Sequence, residues 1–256
     1  MNTLFLTHRS IRKYKSDPID NVLLNDILET GLRSSSSGNM QTWSVIVTRD
    51  SAIKAQLFEA HLEQEMILQA PVALTFCSDV FRMREWIRVN ESKQSFDDLL
   101  GFLTGAADAI IAAQSICLAA ESKGLGICYM GTTWWAADQI IDILGLPTHV
   151  FPVTSIVMGY PDENPDLRDR LPLELMVHQE KYQQMNDSEV LASHAERAQS
   201  AWARYTSSET LKQKLADAGI TKVTDYYTSE FKYSKELHAR VSQMLIETLQ
   251  KQGLWL

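Results

Sequence analysis

Cysteine is scarce in this sequence, and features of a secretion signal or a membrane anchor are missing. Only three cysteines occur among 256 residues, each within an apolar run: Cys77, Cys117 and Cys128. An odd number of widely spaced cysteines does not make a disulfide framework, so we expect buried thiols in a reducing compartment. No apolar signal core follows the first residues, and the most apolar long stretch, 106–120, is too short to cross a bilayer. The sequence therefore predicts a cytoplasmic protein.

Basic residues are in the minority, which limits the possible partners. The chain has 24 Lys and Arg against 32 Asp and Glu, a formal net charge of −8. Nucleic acids and anionic membranes attract basic surfaces, so we expect neither as a partner. A hydrophobic fraction of 45% and a charged fraction of 22% are ordinary for a globular protein. A chain of this length buries a core without disulfide or metal staples, in one large or two small domains.

A glycine-rich dinucleotide fingerprint is also missing. No G-x-G-x-x-G motif follows a predicted strand, and Gly124-Leu125-Gly126 precedes a strand instead. A Rossmann site therefore has little support. The alternation of strands and helices by itself fits a doubly wound sheet as well as an α+β sandwich.

Hydrophobic periodicity predicts helices and strands along the whole chain. Strands are expected at 43–48, 71–78, 127–130 and 153–158, and helices at 19–32, 51–69, 96–123, 136–144, 187–205 and 230–252. The helix at 96–123 is apolar on most of its circumference, so it should lie buried at the centre of the molecule. This long central helix, with extra helices near the C-terminus, favours an α+β fold.

Three segments are more polar than a fold requires. Residues 8–12, HRSIR, match the oxygens of a phosphate, or form a solvated basic surface. Residues 34–43, SSSSGNMQTW, either bind ligand hydroxyls and a heterocycle edge or form a plain polar turn. In 164–170, NPDLRDR, two arginines at i and i+2 either clamp a phosphate or pair with neighbouring acids. Their joint presence in an acidic protein is more informative than any one of them.

These segments occur in the order in which a known family has them. The sequence resembles the nitroreductases, specifically the oxygen-insensitive NADPH nitroreductase and flavin reductase P group. The shared motifs are HRSIR at 8–12, the serine-rich turn at 35–41, ESKGLGICYMG at 121–131, and NPDLRDRLP at 164–172. The resemblance extends over about residues 4–185. It implies a nitroreductase-like mixed sheet with a long central helix and flanking helices, a C-terminal helical extension, and an intertwined homodimer.

The resemblance also implies one FMN per active site at the dimer interface. The expected FMN contacts are, around the phosphate, His8, Arg9, Arg168 and Arg170; toward the ribityl chain and pyrimidine edge, Ser10 and Arg12; from the partner subunit, Ser36, Ser37 and Asn39; at the polar edge of the ring, Gln64; and along the isoalloxazine, Tyr129, Met130 and Gly131. A cation near N1 stabilises a reduced flavin, and a backbone N–H can donate a hydrogen bond to N5. Arg12 and Gly131 are therefore the residues to which the resemblance assigns catalytic roles.

The implied activity is a two-electron transfer of hydride from NADPH or NADH through FMN to a small aromatic acceptor. Nitroaromatics, quinones and free flavin are such acceptors. Two alternatives stay open: a specialised FMN enzyme, such as one for flavin breakdown or dehalogenation, and a flavin-binding protein without turnover. Residues 1–185 would form the FMN-binding core. Residues 186–256 would extend the same domain, wrapping the dimer or covering the substrate.

The sequence departs from the group's pattern at two places. The Tyr-x-Gly-Gly turn reads Tyr129-Met130-Gly131-Thr132. The Thr132 side chain therefore leaves a ligand less room to approach the backbone of the turn. The arginine-rich loop of the NADPH-preferring members corresponds to 206–214, which contains no arginine and places Glu209 there. A carboxylate repels a phosphate dianion, so we expect only a modest preference for NADPH over NADH.

Overall fold

The computed structural model of the chain describes residues 3–255, which group into two compact units. One unit comprises the chain up to Asp166 together with Val241 onward, and the other is Leu167–Arg240. The strands, all in the first unit, are β1 (Trp43–Thr48), β2 (Val72–Asp79), β3 (Gly126–Met130) and β4 (Val150–Gly159). The first unit also contains the helices α1 (Asn21–Leu32), α2 (Ser51–Ala60), α3 (Met66–Gln69), α4 (Phe81–Val89), α5 (Leu99–Ser122) and α6 (Ala137–Leu144). The remaining helices are α7 (Leu173–Met176), α8 (Asp187–Thr206), α9 (Glu209–Asp217), α10 (Val223–Thr228) and α11 (Lys235–Lys251), which crosses the boundary between the units.

The four strands form one sheet in the order β1-β2-β4-β3, with antiparallel neighbours. Every residue of β2 is buried, as its continuous apolar run predicts for a central strand covered on both faces. The expected α+β fold is confirmed, and all four predicted strands are present within three residues of the expected bounds. The three cysteines are free and buried, as expected, and burial raises the pKa of Cys117 to about 12.

Helix α5 packs one face against the sheet and α1. It begins where Asp98 accepts a hydrogen bond from the Gly101 N–H at 2.8 Å. The helix approaches β2 so closely that a Cβ on Gly105 would lie 2.2 Å from Ser78 Oγ, which requires glycine there. The opposite face is open, with Leu100 70% exposed. The expected long central helix is present, and in the isolated chain its face toward the sheet is buried while the opposite face is exposed.

The predicted helix at 51–69 is wrong in its middle, because the structure ends α2 at Ala60 and starts α3 at Met66. Leu62 and Glu63 adopt left-handed backbone angles, with φ of 57° and 55°. The Glu63 N–H closes the end of α2 by donating to the Phe58 carbonyl at 2.8 Å. Glycine usually occupies such a position, so the sequence gives no sign of this break.

In the second unit, four tyrosine rings surround one lysine. Lys232 Nζ lies 3.1 Å from the Tyr205 hydroxyl and between 5.0 and 5.7 Å from four tyrosine ring centres: Tyr205, Tyr226, Tyr227 and Tyr233. Such contacts between a cation and ring faces stabilise a partly desolvated ammonium. Burial alone would raise the pKa of Tyr205, but the Lys232 ammonium lowers it.

The prediction of a loop at 206–214 is wrong for most of its length, because α9 begins at Glu209. Ser208 caps this helix by accepting a hydrogen bond from the Leu211 N–H. Glu209 and Lys212 then lie one turn apart and form an ion pair at 3.3 Å. Lys212 is thus already paired with the carboxylate that was expected to oppose a phosphate.

Candidate active site

The basic N-terminal segment lies alongside β3, the strand that leads into the Tyr-x-Gly turn. Ile11 N–H donates to the Ile127 carbonyl at 2.9 Å, and Ser10 and Ile127 form an isolated parallel bridge. Lys15 N–H donates to the Tyr160 carbonyl at 2.9 Å, which ties the segment to the end of β4 as well. The backbone of the segment is therefore fixed along the sheet edge, while its polar side chains stay partly or fully exposed.

Two residues that follow β4 organise this segment through their side chains. Glu163 Oε1 accepts hydrogen bonds from the Arg12 N–H at 2.5 Å and the Lys13 N–H at 3.2 Å. Asn164 Oδ1 accepts from the Arg9 guanidinium. Glu163 and Asn164 thus connect the segment after β4 to the basic N-terminal segment, within the first unit. The sequence reasoning missed Glu163, whose only signal was its place in a turn.

The Arg12 side chain is exposed and lightly engaged. Its Nη1 donates to the Ser10 carbonyl at 3.4 Å, and the described residues offer it no other hydrogen-bond partner. A guanidinium has five N–H donors, so most remain for a ligand. Arg12 is close enough to β3 to lower the pKa of Cys128 by its charge, although burial has the larger effect and raises that pKa.

His8 contributes to a pocket of about 170 Å³ at the start of β3. Its Nδ1 lies 2.5 Å from Glu121 Oε1, while Glu121 Oε2 is buried with no partner among the described residues. The pocket is lined by Leu4, Thr7, His8, Arg9, Ile11, Glu121, Leu125, Gly126 and Pro161. Since Nδ1 is occupied, Nε2 is the ring nitrogen that His8 has left for a ligand.

At the end of β3 the backbone is open on one side. Gly131 is exposed, and a Cβ built on it would meet no atom within 4 Å. The Met130 side chain is 2% exposed and belongs to the core, so only its backbone is available to a ligand. The Tyr129 hydroxyl donates to Gln114 Oε1 at 3.2 Å. Gln64 joins this turn through a hydrogen bond from its Nε2 to Thr132 Oγ1 at 3.0 Å.

A buried carboxylate on α5 holds the serine-rich turn through hydrogen bonds. Asp108, 1% exposed, accepts from the Ser37 N–H at 2.9 Å and from the Thr42 N–H and hydroxyl at 3.2 and 3.0 Å. Ser36 Oγ accepts from the backbone N–H five residues later at 2.7 Å. The side chains of Ser37 and Asn39 are exposed. The turn is thus rigid in its backbone and offers polar side chains outward.

Arg168 and Arg170 lie in the second unit, where two further arginines join them. The four guanidinium groups line a cavity of about 440 Å³ formed by Arg168, Asp169, Arg170, Leu171, Met176, Arg197 and Arg204. Arg204 Nη1 lies 3.4 Å from Asp169 Oδ1, and Asp169 Oδ2 is buried without a partner among the described residues. Arg197 and Arg204 were missed from sequence, although their spacing of seven puts both on one face of α8.

Comparison with known proteins identifies the family of this chain. The Nitroreductase family profile matches residues 6–160. The chain belongs to the nitroreductase family. It is 35% identical over 233 residues to an NADPH-flavin oxidoreductase of Vibrio harveyi, covering 88% of this chain and 95% of that protein. It is 35% identical to an FMN reductase [NAD(P)H] of Bacillus subtilis, covering 79% and 81%.

Among solved structures, a protein from Bacteroides fragilis has the same fold over almost the entire chain. The TM-score is 0.89 at 36% identity, with 98% of this chain and 99% of that chain covered. The resemblance drawn from the sequence motifs is therefore confirmed at the level of the family. The assignment of individual FMN contacts stays a prediction.

Proposed function

We propose that this nitroreductase-family chain is an FMN-dependent oxidoreductase that transfers hydride from NADPH or NADH to a flat electron acceptor. Nitroaromatics, quinones and free flavin are the acceptor classes. One observation carries the proposal: the basic segment 8–12 runs along the strand that delivers the open Gly131 backbone. A cation and a free N–H along one strand are what an electron-accepting heterocycle requires from a protein.

The donor set fits FMN. Arg12 keeps most of its guanidinium donors, and Gly131 leaves its backbone accessible to a flat ring. Arg9 and His8 would hold the phosphate, since a guanidinium group matches phosphate oxygens in bidentate fashion. Ser10 would serve the ribityl hydroxyls, and the side chains of Ser36, Ser37 and Asn39 would come from a second copy. When bound, FMN supplies the two-electron redox chemistry.

The residues of the chain contribute an electrostatic field to the reaction and orient the flavin ring. Arg12 would place a permanent positive charge beside the pyrimidine edge, where negative charge accumulates on reduction. The Gly131 N–H would orient the ring at N5 without a side chain in the way. No proton donor or acceptor side chain is required for hydride transfer itself, so we assign none.

A homodimer is part of this proposal, because two features of the first unit are exposed in the isolated chain. The open face of α5 exposes large apolar side chains: Leu99, Leu100, Leu103, Ile110 and Ile111. A contiguous apolar surface of this kind usually marks an interface. The serine-rich turn, held rigid by Asp108, presents its polar side chains outward. A second copy that covers α5 would explain both features.

The cofactor is tested directly by releasing it. The protein is expressed with riboflavin in excess, purified and denatured, and the released chromophore is identified by chromatography against FMN, FAD and riboflavin standards. We expect FMN at one equivalent per chain. FAD, or no flavin after incubation with added FMN, would contradict the proposal. Light scattering on the purified protein before denaturation tests the dimer, and an FMN-loaded monomer would contradict that part.

A further inference from the structure

A carboxylate lies against the backbone of Arg12, the residue that places a positive charge beside the flavin in the proposed function. Glu163 Oε1 accepts hydrogen bonds from the Arg12 N–H at 2.5 Å and from the Lys13 N–H at 3.2 Å. Glu163 is half-buried, so water and salt screen its charge less than that of a fully exposed carboxylate. The two bonds thus fix a negative charge close to the Arg12 side chain.

This carboxylate does not pair with the Arg12 guanidinium itself. Among the described residues, the guanidinium donates only to the Ser10 carbonyl, and Glu163 receives its hydrogen bonds from backbone N–H groups. The positive charge therefore stays available to a ligand, and the negative charge is held separately beside it. A ligand next to this segment experiences both charges.

Both charges also reach the buried groups behind the segment. Burial has the largest effect on the Cys128 thiol and raises its pKa, while the Arg12 charge lowers that pKa and the Glu163 charge raises it. The Tyr14 hydroxyl is affected in the same directions: burial raises its pKa most, Arg12 lowers it and Glu163 raises it. Arg12 has the stronger influence on both groups, so Glu163 weakens the field of Arg12 without cancelling it.

We propose that the Glu163 carboxylate opposes the charge of Arg12 and lowers the reduction potential of the bound flavin. This role presupposes the proposed FMN site. A flavin that takes up two electrons and one proton gains a negative charge near N1, which a nearby guanidinium favours and a nearby carboxylate disfavours. A lower potential makes the reduced flavin a stronger electron donor to the acceptor and the oxidised flavin a weaker acceptor from the nicotinamide.

Glu163→Gln separates the charge from the hydrogen bonds. Both N–H groups donate to the same oxygen, so a glutamine with its carbonyl oxygen at that place keeps both bonds and removes only the charge. One charge at about 10 Å changes an equilibrium about fivefold at an effective dielectric constant of about 35. We therefore expect the ratio of reduced to oxidised flavin at a fixed potential to rise about fivefold, a shift of about +20 mV for two electrons.

The test measures the midpoint potential of FMN-loaded parent, Glu163→Gln and Asp26→Asn proteins at one pH, by anaerobic reduction with a reference dye. Asp26→Asn is the matched control, because it removes one carboxylate of the same unit from an exposed position on α1. We expect the potential of Glu163→Gln to rise and that of Asp26→Asn to equal the parent value within error.

An unchanged or lower potential in Glu163→Gln would overturn the inference, while an FMN-loaded parent would leave the proposed function standing. An equal rise in Asp26→Asn would overturn it as well, because the shift would then reflect net charge and not the place of Glu163. Glu163→Ala removes the same charge together with both hydrogen bonds, so its potential decides the sign of the shift if the glutamine variant does not fold. A parent that holds no flavin would overturn the proposed function, and this inference with it.

Discussion

Asp108→Asn is the substitution whose effect follows most directly from the geometry. The carboxylate is 1% exposed and accepts three hydrogen bonds, one on Oδ1 from the Ser37 N–H and two on Oδ2 from Thr42. A carboxamide has the same shape but a single acceptor oxygen. If that oxygen faces Ser37, the amide nitrogen confronts the Thr42 N–H. If it faces Thr42, the nitrogen confronts the Ser37 N–H.

In either orientation one backbone N–H loses its acceptor in a poorly solvated place. An unsatisfied buried donor costs about 1–3 kcal/mol, and the remaining bonds lose the extra strength of a charged acceptor. We therefore expect Asp108→Asn to lower the free energy of unfolding by about 2–4 kcal/mol. The serine-rich turn loses its anchor at the same time, so FMN retention should fall as well.

Urea unfolding of parent and variant at one protein concentration, followed by circular dichroism, measures the difference. Asp26→Asn is the matched control, because Asp26 is exposed on α1 and its side chain makes no hydrogen bond among the described residues. Its effect should stay within about 0.5 kcal/mol. A loss for Asp108→Asn no larger than that of the control would refute the reasoning, since the carboxylate would then not be holding the turn.

Three further predictions follow from other parts of the structure. Arg170→Ala should raise the Kd for FMN about tenfold or more, the loss of one charge-assisted phosphate contact of about 1.5–3 kcal/mol; unchanged FMN retention in a folded variant would mean that Arg170 does not touch the phosphate. The kcat/KM ratio of NADPH to NADH should be about tenfold or less, because Lys212 is already paired with Glu209; a ratio above about a thousandfold would reveal another phosphate site. Burial lowers the pKa of His61 from 6.5 to about 4, so its neutral form favours folding fully above pH 6.5 and this stability is lost as the pH falls toward 4. The loss is about 3 kcal/mol at most, and a His61→Gln protein with the same pH slope as the parent would contradict it.

The strands and the long helix were predictable because burial leaves a direct mark on composition. β2 and β4 are covered on both faces and read as continuous apolar runs, so their positions follow from the sequence alone. The end of α2 was not predictable, because Leu62 and Glu63 adopt left-handed angles without the glycine that normally signals them. The position of α9 was missed for a related reason, since its exposed polar face resembles a loop.

The site was predictable only where the family motifs lie. Those motifs mark the basic segment, the serine-rich turn and the glycine turn, but not the side chains that hold them in place. Asp108 is a single acidic residue within an apolar helix, and nothing in the sequence connects it to Thr42. His61 and Thr132 meet only because two separate turns fold together. Supporting contacts of this kind depend on tertiary structure and leave no local pattern.

The central claim is that the chain takes up two electrons from a reduced nicotinamide and passes them to an acceptor. The most direct measurement is an anaerobic titration of the purified yellow protein with NADPH, followed in the visible spectrum. We predict that one equivalent of NADPH per flavin bleaches the absorbance fully, and that a quinone or nitroaromatic then restores it. A spectrum that NADPH and NADH both leave unchanged, in a protein loaded with FMN, would contradict the claim and leave a flavin-binding protein without turnover.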